Sequence, residues 1–94
     1  MNIELAILYD YYGELLTSKQ QVYFEDYYFN NLSLQEIGQN YSISRNAVYN
    51  SLKEIEKKLN HYEDVLKLYE KSKIIKKLIV DLDDDKQNRI KELI

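Results

Sequence analysis

The chain has 94 residues, 45% of them hydrophobic and 31% charged, with a formal net charge of −3, which fits one small domain with a modest core and leaves no room for a second. Cysteine is absent, excluding a disulfide framework, a thiol nucleophile and any thiolate metal site. Proline is absent too, and with only two glycines, Gly13 and Gly38, the expected fold is all-α, a small helical domain over residues 1–94.

The first helix is expected over about Ile3 to Leu16, with Leu5, Leu8, Tyr12 and Leu15 along one face and Thr17 ending it. A second helix follows at once, because Thr17 and Gln20 have the spacing of a capping box. Tyr23, Phe24, Tyr27 and Tyr28 fall at helical spacing and read as core rather than as a platform for stacking bases. Asn30, Asn31 and Leu32 make a short turn.

From Ser33 onward the chain reads SLQEIGQNYSISRNAVYNSLKEIEKKL. Ser33 with Glu36 is a second capping box, and Ser44 is a single N-cap eleven residues on. Two starts so close allow a first helix of only about two turns before the chain reverses. Such a corner is a helix-turn-helix, expected over about residues 33–53. Leu34, Ile37 and Tyr41 form the inner face of its first helix, Val48 and Leu52 that of its second, and Ile43 plugs the turn. Gly38 lies where the helices cross closest, and Ser42 stands where such turns usually need positive φ. Outside remain Ser44, Arg45, Asn46, Tyr49, Asn50 and Lys53, side chains that can reach base edges and phosphates.

The second helix of the corner is expected to run on to about residue 72. Val48, Leu52, Ile55, Leu59, Tyr62, Leu66 and Tyr69 recur at alternating steps of four and three, a heptad seam. Helix 1 or the C-terminal segment could close its far part, or a second copy could; the expectation is a homodimer through Ile55, Leu59, Tyr62, Leu66 and Tyr69. A short helical segment is expected over about residues 83–94, with its helix from about Lys86 to Leu93. The acidic run Asp81 to Asp85 before it suits the positive end of a helix dipole and lacks the spacing of a calcium loop.

Net negative charge argues against a nucleic-acid partner, but its distribution does not. Residues 1–43 hold one lysine against six acids, whereas residues 44–80 hold nine cations against five acids. The positive segment is the outer helix of the corner and its continuation, so weak, salt-sensitive binding, or binding by two copies, is expected.

The string from Leu15 to Leu59 resembles the fourth conserved region of bacterial sigma factors, with its LT-x-x-Q, S-x-x-E-I and S-x-x-x-V elements. With the opening YDYYGELLTSKQ, the SRNAVYNSLK core and the trailing KLNHYEDVLKLYEK, residues 5 to 72 resemble more closely the YlxM family of small helix-turn-helix proteins. The resemblance implies a DNA-binding regulatory protein. It also implies a link to the signal recognition particle, whose RNA or protein component becomes an alternative partner. A protein-interaction module without nucleic acid is the third reading open at this point.

Catalysis finds little support. His61 stands alone on the polar side of the long helix, and neither a phosphate loop nor a nucleophile elbow occurs, so no enzyme activity, metal or cofactor is expected. The apolar cluster from Ile74 to Leu82 is interrupted by two lysines and too short to span a bilayer, and no basic leader precedes the acidic N-terminus; a cytoplasmic location is the expectation.

Overall fold

The computed structural model describes residues 2–94. In chain order these form α1 (Ile3–Tyr12), a 3₁₀ turn (Gly13–Leu15), α2 (Ser18–Tyr28), α3 (Leu34–Tyr41), α4 (Arg45–Leu66), α5 (Leu68–Leu78) and α6 (Asp84–Lys91), with no strand among the described residues. The protein is all-α, as its sequence implies. Helix starts are written locally: both capping boxes close in both directions, Thr17 with Gln20 at 3.2 and 3.0 Å and Ser33 with Glu36 at 3.0 and 3.1 Å. The Ser44 hydroxyl accepts from the Ala47 amide at 3.0 Å, and Asp83 accepts from the Lys86 amide at 2.9 Å. Each such cap is worth about 1 kcal/mol.

Helix α4 is the spine against which α1, α2 and α3 pack. Its Val48, Leu52, Ile55 and Leu59 are buried with Leu5, Leu8 and Tyr12 of α1, Tyr23 and Phe24 of α2, and Ile37 of α3. Aromatic rings fill the space between α1 and α2: Phe24 stacks on Tyr9 at 4.3 Å and on Tyr28 at 4.4 Å, and Phe29 meets both Tyr9 and Phe24 edge-on. Such pairs add about 0.5–1.5 kcal/mol each beyond burial.

Three expectations are corrected. The first helix gives way to the 3₁₀ turn after Tyr12, and the tighter winding rotates the following residues out of the α-helical phase. Leu16 therefore enters the core, while Leu15 is exposed. The long helix stops at Leu66 rather than near residue 72, because Lys67 adopts a left-handed conformation, φ 56° and ψ 30°, and starts α5 in a new direction. The heptad seam is largely closed within the chain. Ile55 and Leu59 have no exposed surface and cannot contribute to an interface with a second copy. Tyr62 packs beside the Tyr12 ring at 6.0 Å, and Tyr69, now on α5, lies 6.1 Å from the Tyr11 ring. Of the five residues assigned to a dimer seam, only Leu66 is fully on the surface, 43% exposed at the end of the rod.

The break at Lys67 is held by hydrogen bonds. The Tyr12 hydroxyl donates to Glu63 Oε1 at 2.6 Å and accepts from the Leu68 amide at 3.0 Å. Glu63 in turn accepts from the amides of Tyr69 and Glu70 at 3.1 and 3.0 Å. The first three amides of α5, orphaned in any helix start, are thus satisfied by a side chain of α1 and one of α4. Beyond this joint the chain extends as an arm. Helix α5 touches α1 and α4, whereas α6 makes no extensive packing with another helix. The radius of gyration is 16.6 Å, against about 12 Å for a compact domain of this length.

Candidate nucleic-acid interface

The corner is formed by α3, the turn Ser42–Ser44 and the first turns of α4. Ser42 takes the left-handed conformation its position demands, φ 57° and ψ 41°, and both its amide and that of Ile43 bond to the Gly38 carbonyl. Gly38 is buried under the incoming chain: a Cβ there would lie 2.7 Å from the Ile43 carbonyl oxygen. The close crossing therefore depends on glycine's missing side chain. Ile37 and Val48, both wholly buried, lock the two helices together. The result is a rigid bracket that leaves one side of the N-terminal half of α4 facing solvent.

On that half the six residues singled out from the sequence are all exposed. Five of them are shared between two adjoining hollows. Arg45, Asn46, Tyr49 and Lys53 line a hollow of about 340 Å³ between α4 and the end of α2. Asn50 lines the adjoining hollow with Ser51, Glu54 and Lys57, and Lys53 borders both. Ser44 has its hydroxyl committed to the cap. Lys53 forms an ion pair with Glu56 at 3.6 Å and lies 5.5 Å from the centre of the Tyr49 ring. That pair is exposed, worth about 0.3–0.5 kcal/mol, and so is easily exchanged for a phosphate. Arg45 makes no ion pair with any described residue.

Residues 1–94 match the profile of the family described as "Putative helix-turn-helix protein, YlxM / p13 like". The chain belongs to this YlxM/p13-like family. Among its relatives, a UPF0122 protein of Fusobacterium nucleatum is 45% identical over 83 residues, covering 88% of this chain and 81% of the relative. One from Clostridium kluyveri is 49% identical over 85 residues, covering 87% and 77%, and one from Malacoplasma penetrans is 38% identical over 82 residues, with the same coverage. The family's description is that of a helix-turn-helix protein, in keeping with the α3–α4 corner, and no helix among the described residues is long and apolar enough to cross a membrane.

Within this YlxM-like corner, sequence reasoning missed the contribution of α2. Tyr23 and Phe24 are buried as expected, but Tyr27 is 38% exposed and Tyr28 half-buried, and together they form the far wall of the hollow. Their rings stand nearly perpendicular, 5.0 Å apart. Burial, and then the nearby Glu56 carboxylate, push the Tyr28 hydroxyl above its usual range. The signal for this was available: helix α2 ends at Tyr28, and the last turn of a helix that feeds a corner overhangs it.

Proposed function

We propose that this protein is a nucleic-acid-binding regulator that presents the N-terminal half of α4 to its target. The observation that carries this reading is the bracketed, solvent-facing row of Arg45, Asn46, Tyr49 and Lys53, with Asn50 on the neighbouring side, in the most cationic segment of an otherwise acidic chain. Cations and planar amides on a rigid helix suit phosphate contact and base-edge contact respectively. The acidic α1–α3 region opposes the polyanion, so binding is weak and strongly salt-dependent. The test is retention of duplex DNA and of structured RNA by an Arg45→Glu, Lys53→Glu variant across a salt series. Loss of two phosphate contacts lowers the slope of log K against log salt by about 1.8 on B-form DNA. Unchanged affinity and slope for both nucleic acids would reject this face. The RNA arm also bears on the signal recognition particle reading implied by the family resemblance.

A second copy completes the reading. Ile74, Leu78, Val80 and Leu82 on the arm are between 39% and 75% exposed, an apolar surface that flanks the buried Ile79. Lys71, Lys73, Lys76 and Lys77 on α5 precede Asp81, Asp83, Asp84 and Asp85, so two arms running in opposite directions pair basic with acidic segments. Pairing through the arms, rather than through the filled seam of α4, gives a dimer with two free corners.

A further inference from the structure

We infer that the hollow beside α4 receives a single unpaired nucleotide, so that this protein selects nucleic acid with a looped-out, bulged or single-stranded base over an uninterrupted duplex. The inference rests on the reading of α4 as the nucleic-acid face and names what that face selects. The hollow's volume, about 340 Å³, falls at the small end of the range for pockets that take small molecules. Three tyrosines converge on it, Tyr27 and Tyr28 from α2 and Tyr49 from α4. Tyr27 and Tyr49 leave 38% and 47% of their surface in solvent, although the same chain buries Tyr12 and Tyr23 almost completely. Exposed aromatic faces are what a base needs for stacking, and each stacked base raises affinity about 5- to 150-fold.

The charges select the same occupant. Arg45 and Lys53 line the hollow and can each meet a backbone phosphate at its rim, while Glu56 on the same lining repels a phosphate that enters. A polyanionic backbone therefore stays outside while a neutral base goes in. Asn46 offers an amide that can donate to and accept from a base edge. In a continuous duplex both faces of each base are already stacked, and no ring is free to enter.

The test uses hairpins carrying 2-aminopurine either in the loop or within the paired stem, in DNA and RNA versions, with the full chain. The expected result is quenching of the loop label and about tenfold tighter binding of hairpins than of a matched blunt duplex; the two backbones distinguish deoxyribo- from ribonucleotide sources. A Tyr27→Leu variant, which keeps bulk and loses the aromatic face, is expected to bring hairpin affinity down to that of the duplex, its helicity being checked by circular dichroism. Equal affinity for hairpin and duplex with no change in loop fluorescence overturns this inference and leaves the function above standing. Retention of no oligonucleotide overturns both. Quenching that survives Tyr27→Leu and Tyr49→Leu places the base elsewhere and also overturns it.

Discussion

Removing one oxygen atom, in Tyr12→Phe, isolates the joint that sets the direction of the arm. The Tyr12 ring is 1% exposed, and phenylalanine fills the same space, so packing is conserved. What is lost is the 2.6 Å bond to Glu63 and the 3.0 Å bond from the Leu68 amide. A hydrogen bond to a charged group contributes about 1.5–3 kcal/mol, and a buried amide left alone costs about 1–3 kcal/mol. Glu63 is half-exposed and Leu68 is 45% exposed, so water relieves part of both losses, and the sum comes to about 1.5–2.5 kcal/mol. The loss falls on α5, because Phe24, Ile37, Val48 and Ile55 do not depend on this bond. Amide exchange along Leu68–Leu78 should therefore accelerate about 10- to 70-fold, while the buried amides of α4 keep their protection. Exchange measured residue by residue by NMR is the assay. Wild-type rates in α5, or an equal acceleration throughout α2, α3 and α4, would refute the idea that Tyr12 acts as a local cap.

The other expected outcomes concern pH, the corner and the arm. Burial raises the Glu63 carboxyl, but hydrogen bonds from Tyr12, Glu70 and Tyr69 and the charge of Lys67 outweigh it and hold the carboxyl below its ordinary 4.5. Stabilisation from a depressed acid is complete above the unfolded value and lost as pH falls through the folded one. The urea midpoint should thus drop below about pH 4.5, and Glu63→Gln should flatten that limb. Tyr12 is raised above 10.0, chiefly by burial, so its contribution is lost as pH rises beyond that value; Tyr12→Phe should soften the alkaline limb. Gly38→Ala gains about 1 kcal/mol of helix propensity but sets a methyl group 2.7 Å from a backbone oxygen, an overlap costing about 1–3 kcal/mol. A net loss of about 1 kcal/mol in urea denaturation is expected, and a gain would show that the crossing is relaxed. Leu78→Glu, at a position 75% exposed, should halve the sedimenting mass at micromolar concentration while leaving helicity intact; an unchanged mass removes the arm as an interface.

The corner was legible because everything that shapes it lies within a few residues. Ser33, Glu36 and Ser44 write their caps in sequence, Gly38 marks the crossing, and Ser42 adopts the left-handed turn that the position requires. The end of the rod was illegible for the opposite reason. Nothing near Lys67 resembles a helix stop, since glycine and proline are absent, and the heptad spacing runs unbroken from Leu59 through Leu66 to Tyr69. The stop is imposed by Tyr12, 51 residues from Glu63 and 56 from Leu68, whose contact no local pattern encodes. The heptad was real but its partner was misassigned: it seats α1, α2 and α3 first, and only what remains past the joint is free for another chain. Leu15 failed more simply, since an α-helical count carried through a 3₁₀ turn points to the wrong neighbour.

Two left-handed residues, Ser42 in the turn before α4 and Lys67 at its end, are thus maintained in different ways, with consequences for how the protein can work. Ser42 is fixed by its own neighbours and belongs to the corner, so the binding face survives any change to the arm. Lys67 is fixed by α1, so the direction of the arm depends on the N-terminal helix remaining docked. In a dimer joined through the arms, the separation and relative angle of the two corners would be set by the Tyr12–Glu63 joint, ten residues beyond Lys53 along α4. Weakening that joint should then leave the affinity of a single corner unchanged and lower only the gain from engaging two, a separation of effects that a rigid single-unit binder could not produce.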